Sequence, residues 1–192
     1  MSSVITERRK TANRYLSQVK IMVGDITEQS VDAIVSLLPH VHPLDYSGRL
    51  NQAIVSKAGQ GLVDYMNYQV YEPKIGQVIT CPGYNMSAGH VLFVVVPKWR
   101  TDFDKQDRLL VHACRNAIEA AQGLGVRTLA FPFIGSGREG FPKKRAARLL
   151  LQALAETIGK LYDYKDFRDV YILCENEQEC RIFRDRLEAM IR

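Results

Sequence analysis

Residues 91–96, Val-Leu-Phe-Val-Val-Val, are an unbroken apolar run of mostly β-branched and aromatic side chains. The run is far shorter than the roughly 20 residues needed to cross a bilayer. It therefore reads as a strand that is apolar on both faces, and such a strand is stable only when both faces are covered. Residues 31–38, VDAIVSLL, form a second run of this kind, stopped by Pro39. Between and around these runs the periodicity changes. Residues 19–24, 76–81, 127–134 and 170–174 are further β-prone stretches. Apolar positions recur at helical spacing from Leu50 to Ala58, Leu62 to Val70, Leu109 to Ala121, Ala146 to Leu161 and Gln178 to Ile191. Strands that alternate with helices predict an α/β sandwich around a mostly parallel sheet.

A chain of 192 residues favours one large domain, and no linker, repeat or low-complexity stretch divides it. The first 17 residues read as a basic arm and residues 18–192 as the domain. The start of the chain, MSSVITERRKTANRYLSQ, has no apolar stretch after its basic residues, which argues against a secretory signal. The four cysteines, Cys81, Cys114, Cys174 and Cys180, contain no CxxC pair and suit a reducing compartment, where they read as small buried hydrophobes. A cytoplasmic location is expected, or a nuclear one in a eukaryote, with no membrane partner.

The net charge of +5 raises the possibility of a nucleic-acid partner. Most of it comes from Arg8, Arg9, Lys10, Arg14 and Lys20, opposed in that stretch only by Glu7. A second excess, Arg138, Lys143, Lys144, Arg145 and Arg148 against Glu139, adjoins the segment Gly135-Ser136-Gly137-Arg138-Glu139-Gly140. Glycines between a strand and a helix let backbone amides converge on an anion, and the helix start adds partial positive charge. Phosphate is the expected ligand. Gly137 in particular is expected to need backbone freedom and close approach to it. A Walker loop is excluded because Phe141 and Pro142 stand where Lys and Ser or Thr are required. A dinucleotide fold would place such a loop in its first strand-helix unit, with an acid roughly 20 residues later. Here the loop comes late and Glu175 lies much further on, which leaves that reading a minor alternative.

Several stretches together resemble the macro domain family: VKIMVGDITEQSVDAIV at 19–35, AIVSKAG at 53–59, IGQVITCPGYNMSAGHVLFVVVPKW at 75–99 and LAFPFIGSGREGFPKKRAARLLLQAL at 129–154. The GSGREGFP loop is most similar to that of the macro-histone type. The resemblance implies a three-layer α/β/α sandwich with a mixed, mostly parallel six-stranded sheet, and an ADP-ribose cleft at the strand ends. It implies that Asp25 receives the adenine amino group, with the Ile26 amide supporting it. The carboxylate suits that role, because it accepts hydrogen bonds and the amine donates them. Taken without the family, Asp25 reads equally as a turn or helix cap.

Ser47 and Gly48 match the first phosphate loop, with Arg49 and Leu50 following. Gly135, Ser136 and Gly137 match the second, with Phe133 before and Arg138 and Glu139 after. Glu175 stands where a ring is expected to stack on adenine, and Glu139 where a ring is expected near the distal ribose. Two carboxylates in a diphosphate cleft are expected to repel the ligand. Hydrolytic members carry an Asn after the second strand and an acid in the first loop, positions held here by Pro39 and Asn51, and an amide cannot act as a general base. The expected function is binding of ADP-ribose, free or on a modified protein, or of a related nucleotide diphosphate, without hydrolysis and without a cofactor or metal.

Two alternatives accompany it. One is an ADP-ribosyl hydrolase using a non-standard group such as His40 or Asp45. The other is a diverged macro domain that binds nucleic acid through its basic clusters or serves as a scaffold. His40 and His42 with Asp45 are a weak metal candidate against a solvated loop. Tyr84, Asn85 and Trp99 read as turn and packing residues, and Arg181, Arg184 and Arg186 as a solvated helix face.

Overall fold

The computed structural model describes residues 15–17, 19–69, 72–158 and 167–191. Most of the basic arm, Val70 and the end of the helix expected to reach Leu161 lie outside them. Six strands run in the order of the chain as β1 (Val19–Val23), β2 (Ala33–Pro39), β3 (Val78–Pro82), β4 (His90–Val96), β5 (Thr128–Phe131) and β6 (Asp169–Cys174). Among the described residues they are accompanied by the helices α1 (Arg49–Ala58), α2 (Gln60–Gln69), α3 (Phe103–Gly123), α4 (Lys143–Ile158) and α5 (Glu177–Ile191).

The strands form one sheet in the order β1-β6-β5-β2-β4-β3. All neighbours are parallel except β3, which runs antiparallel to β4 at one edge. The expected mixed, mostly parallel six-stranded sheet between helical layers is what the chain forms. The glycine segment follows β5 rather than the first strand, so the dinucleotide-fold alternative falls.

Side-chain alternation explains the apolar runs. Leu92, Val94 and Val96 join one core with residues of α3, α4 and α5. Val91, Phe93 and Val95 join the other with Ile54, Ala58, Leu62 and Met66 of α1 and α2. The same split places Ala33 and Val35 on the first face and Ile34 and Leu38 on the second. Successive residues of a strand point to opposite faces, so a sheet covered on both sides favours apolar residues at successive positions, with buried Ser36 of β2 satisfied by its bond to Asn51.

The element ends differ from the expectations where local chemistry outweighs periodicity. Helix α3 starts at Phe103, well before Leu109, because its first turns are polar and carry no apolar stripe. Asp102 caps it by accepting from the Lys105 amide at 3.3 Å. Strand β2 includes Pro39, which pairs with Val96, since a terminal strand position can do without an N–H. Strand β5 ends at Phe131, and Pro132 leads the chain out of the sheet. All four cysteines are buried and unbonded to one another. Burial pushes the Cys81 thiol up to about 11 and the Cys114 thiol up to about 12, which keeps these two protonated at neutral pH.

Candidate functional site

The parallel strands β1, β6, β5 and β2 deliver their carboxyl ends to one side of the sheet, where ligands bind in open α/β folds. A cleft of about 840 Å³ opens there. Gly24, Asp25 and Ile26 line it after β1, Leu173, Cys174 and Glu175 at the end of β6, Pro132 and Phe133 after β5, and Leu37 from β2. The glycine segment contributes Ser136, Gly137, Arg138 and Glu139, and the start of α1 contributes Gly48, Arg49, Leu50 and Asn51. Of the residues expected to bind the ligand, the cleft therefore gathers all but Ser47 and Gly135.

Ser47 stands at the rim, where its hydroxyl accepts from Arg138 Nη1 at 2.6 Å. Gly135 is turned to the core. Its φ is +79°, and an added Cβ would lie 3.0 Å from Leu110 and 3.3 Å from Phe141. The backbone freedom expected of Gly137 belongs instead to Gly135 and to Gly140, whose φ is +82°. Gly137 has an ordinary φ, and the nearest atom to an added Cβ is Glu139 Oε2 at 3.6 Å. What absence of a side chain provides at Gly137 is space in the cleft.

Asp25 forms the turn cap that its sequence context allowed, at the edge of the cleft. Its Oδ1 accepts from the Thr27 amide at 2.8 Å and the Thr27 hydroxyl at 2.7 Å, capping a short 3₁₀ turn over Ile26–Glu28. These two bonds, with Lys57 nearby, hold its carboxyl below the usual range, so it is ionised at neutral pH. Both bonds fall on one oxygen, and the other is uncommitted among the described residues, beside the cleft.

Helix α1 begins at the cleft with Gly48 as its N-cap and no side chain bonded to its first amides. Those amides and the helix dipole favour an anion. Asn51, at the position of an acid in hydrolytic relatives, is buried and fully engaged. Its Oδ1 accepts from the Ser36 hydroxyl at 2.6 Å, and its Nδ2 donates to the Leu37 carbonyl at 2.7 Å. It pins α1 to β2.

The charges of the cleft are arranged in pairs that local sequence does not reveal. Arg49 forms an ion pair with Glu175 across the mouth. Arg138 reaches Asp45 at 3.4 Å as well as Ser47, joining the two loops. Lys143 meets Glu179 at 2.9 Å, and Glu179 also accepts from the Glu175 amide at 2.9 Å. Lys143, Glu179 and Cys174 line the cleft without having been among the residues expected to bind the ligand. The basic residue at the start of a helix after the glycine loop was the available signal for Lys143. Buried Glu179 had none.

Two expectations change with these contacts. The repulsion expected from Glu175 is offset by Arg49. Glu139 is half-buried, and burial is the main cause that raises its carboxyl above the ordinary value. The second basic cluster is also largely engaged, since Arg145 and Arg148 both meet the buried Asp107, at 2.8 and 3.2 Å.

Asp45, a candidate for catalysis, accepts from the Ser47 amide at 2.8 Å in addition to Arg138, and these contacts lower its carboxyl. His40 and His42 are exposed on the loop after β2 and do not line the cleft. Trp99 packs as expected, stacked on Phe103 at 4.1 Å, and Tyr84 sits in a turn with φ +50°.

The family model for the Macro domain matches residues 41–150. An O-acetyl-ADP-ribose deacetylase of Salmonella newport is 31% identical over 170 residues, which cover 87% of this chain and 92% of that protein. A macro domain-containing protein of Methanosarcina mazei is 28% identical over 176 residues, 92% of this chain and 91% of its own length. Among solved structures, the Oceanobacillus iheyensis macrodomain with ADP superposes with a TM-score of 0.78 at 26% identity, over 90% of this chain and 91% of that one. The sheet order, the cleft at the strand ends and these likenesses agree, and the chain belongs to the macro domain family.

Proposed function

We propose that the cleft binds ADP-ribose, free or carried on a protein, or a closely related nucleotide diphosphate. The observation that carries this reading is the convergence of three features on one cleft: the ionised Asp25, the open glycine segment Ser136-Gly137 and the uncapped start of α1. In this reading Asp25 accepts from the adenine amine through its uncommitted oxygen. The α1 amides and the glycine segment hold the diphosphate, and Phe133 packs along the ligand. The ADP bound by the Oceanobacillus iheyensis macrodomain supports the ligand class.

Residues 18–192 act as one macro domain, with residues 1–17 as a basic arm. Hydrolysis through the positions used by hydrolytic relatives is unavailable, because Pro39 has no side-chain donor to orient a ribose and Asn51 is an amide engaged at both ends, which cannot act as a general base. Calorimetric titration with ADP-ribose, ADP and AMP tests the reading. ADP-ribose and ADP should bind and AMP should bind more weakly, since it reaches only part of the diphosphate site. Absence of heat with all three would reject it.

A further inference from the structure

Glu139 has a place in the cleft that the binding reading leaves unexplained. Its Oε2 lies against the space beside Gly137, 3.6 Å from where a Cβ would stand. The loop aims it there, because the Glu139 carbonyl accepts from the Trp99 amide at 2.7 Å and the Gly140 amide donates to Gly137 at 3.1 Å. The other acids of the cleft bond to other residues, Asp25 to Thr27, Glu175 to Arg49 and Glu179 to Lys143, whereas the Glu139 carboxyl accepts from its own backbone amide. No Lys or Arg among the described residues comes within ion-pair distance of Glu139. The charges nearest it are Arg138 on its own loop and Lys98 on the segment after β4. Arg138 is bonded to Ser47 and Asp45, and Arg49 and Lys143, which line the same cleft from α1 and α4, are paired elsewhere.

We propose that Glu139 makes the cleft take its diphosphate together with a proton, the neutral carboxyl donating a hydrogen bond to a phosphate oxygen where the carboxylate would repel it. This rests on the proposed binding of ADP-ribose. Burial already raises this carboxyl in the free protein. A diphosphate beside it raises it further, since a like charge disfavours ionisation. Between the free and bound values, one proton enters with each ligand, and affinity falls about tenfold for each pH unit.

ADP-ribose suits the test because its diphosphate is esterified at both ends. A terminal phosphate, by contrast, has a second ionisation near pH 6 that would confuse the profile. Asp25 stays ionised across the range used, because Thr27 lowers it.

The experiment is calorimetric titration of ADP-ribose into the full chain from pH 5.5 to 8, with the pH 7 titration repeated in two buffers of different ionisation enthalpy. The native protein should bind more tightly at pH 5.5, by at least tenfold, and the two buffers should report proton uptake. Glu139→Gln donates the same hydrogen bond without titrating. It should bind at pH 8 as tightly as the native protein does at pH 5.5, with no uptake. A flat profile with measurable binding, or an unchanged pH dependence in Glu139→Gln, would overturn the role of Glu139 alone. No binding by either protein at any pH would overturn the ADP-ribose reading and this inference with it.

Discussion

Arg138 Nη1 donates to the Ser47 hydroxyl at 2.6 Å across the cleft, joining two loops that lie 91 positions apart in the chain. The contact closes one end of the cleft while Arg49 and Glu175 bridge its mouth. Polar contacts of charged side chains thus tie the rims of the cleft together. Exposed pairs of this kind add little stability, typically below about 1 kcal/mol. Their consequence lies in where they leave charge, and the four expectations below follow from that arrangement and from the backbone beneath it.

Replacing Asp25 separates its turn cap from the adenine contact proposed for it. Asp25→Asn keeps an oxygen for Thr27 and so keeps the 3₁₀ turn capped, but it turns a donor toward the adenine amine. Asp25→Ala removes both. Each should weaken ADP-ribose binding by about 1 to 3 kcal/mol, the size of a hydrogen bond to a charged group. The alanine variant alone should also lose thermal stability. Calorimetry and melting curves on the two variants distinguish the effects, and unchanged affinity in both would remove adenine recognition from Asp25.

Two glycines of the segment between β5 and α4 should respond in opposite ways. Gly137→Val meets no backbone restriction and little steric resistance from the fold, so the protein should melt as before while the valine fills the cleft and abolishes nucleotide binding. Gly135→Ala must hold φ at +79° with its Cβ 3.0 Å from Leu110. It should destabilise the fold by about 1 to 2 kcal/mol, the cost of the left-handed region for a residue with a side chain. Thermal melting of both, with titration of the first, checks the contrast.

Glu175→Phe removes the partner of Arg49 and places a ring at the cleft mouth. The freed guanidinium gains access to the diphosphate, and the ring can stack on a base, which contributes roughly 1 to 3 kcal/mol in single-strand binding proteins. ADP-ribose affinity should rise by about fivefold or more. An affinity equal to or below that of the native protein, measured by the same titration, would place the base away from this residue.

Acid should loosen the sheet at Asp32 before it affects the cores. Asp32 Oδ2 accepts from the Arg127 and Thr128 amides at 2.7 and 2.9 Å, fastening the start of β5 beside β2. The Arg127 amide is the largest cause holding its carboxyl below the ordinary value of 3.8. A carboxyl lowered in the folded state stabilises above its unfolded value, and that contribution disappears as pH falls through the folded one. Asp32→Ala should therefore cost about 1 kcal/mol at pH 7. The cost should shrink below pH 3.8. Urea denaturation at both pH values measures it.

The residues of the cleft differ in how far local pattern could identify them. Asp25 follows a strand end and begins a turn, and the glycine segment sits between a strand and a helix, so both could be located from neighbouring residues. Glu179 could not. It lies on the polar-looking start of α5 and is buried only because Lys143 and the Glu175 amide meet it there. Asn51 could be named as an altered position, yet its bonds to Ser36 and Leu37 depend on the packing of α1 against β2. Gly137 and Gly135 share a motif, and only the backbone distinguishes the one that needs a positive φ from the one that needs space.

By itself the sequence determined the succession of strands and helices, the two-sided burial of the sheet and the place of the glycine loop. Each of these follows from interactions within a few residues or from the strand period of two. Tertiary structure alone decided which charges meet and which are stripped of water. Arg49 and Glu175 are 126 positions apart, and Arg145 reaches Asp107 across 38. A carboxyl such as Glu139 is shifted by burial, which is a property of everything packed around it, and no local pattern of residues encodes that environment.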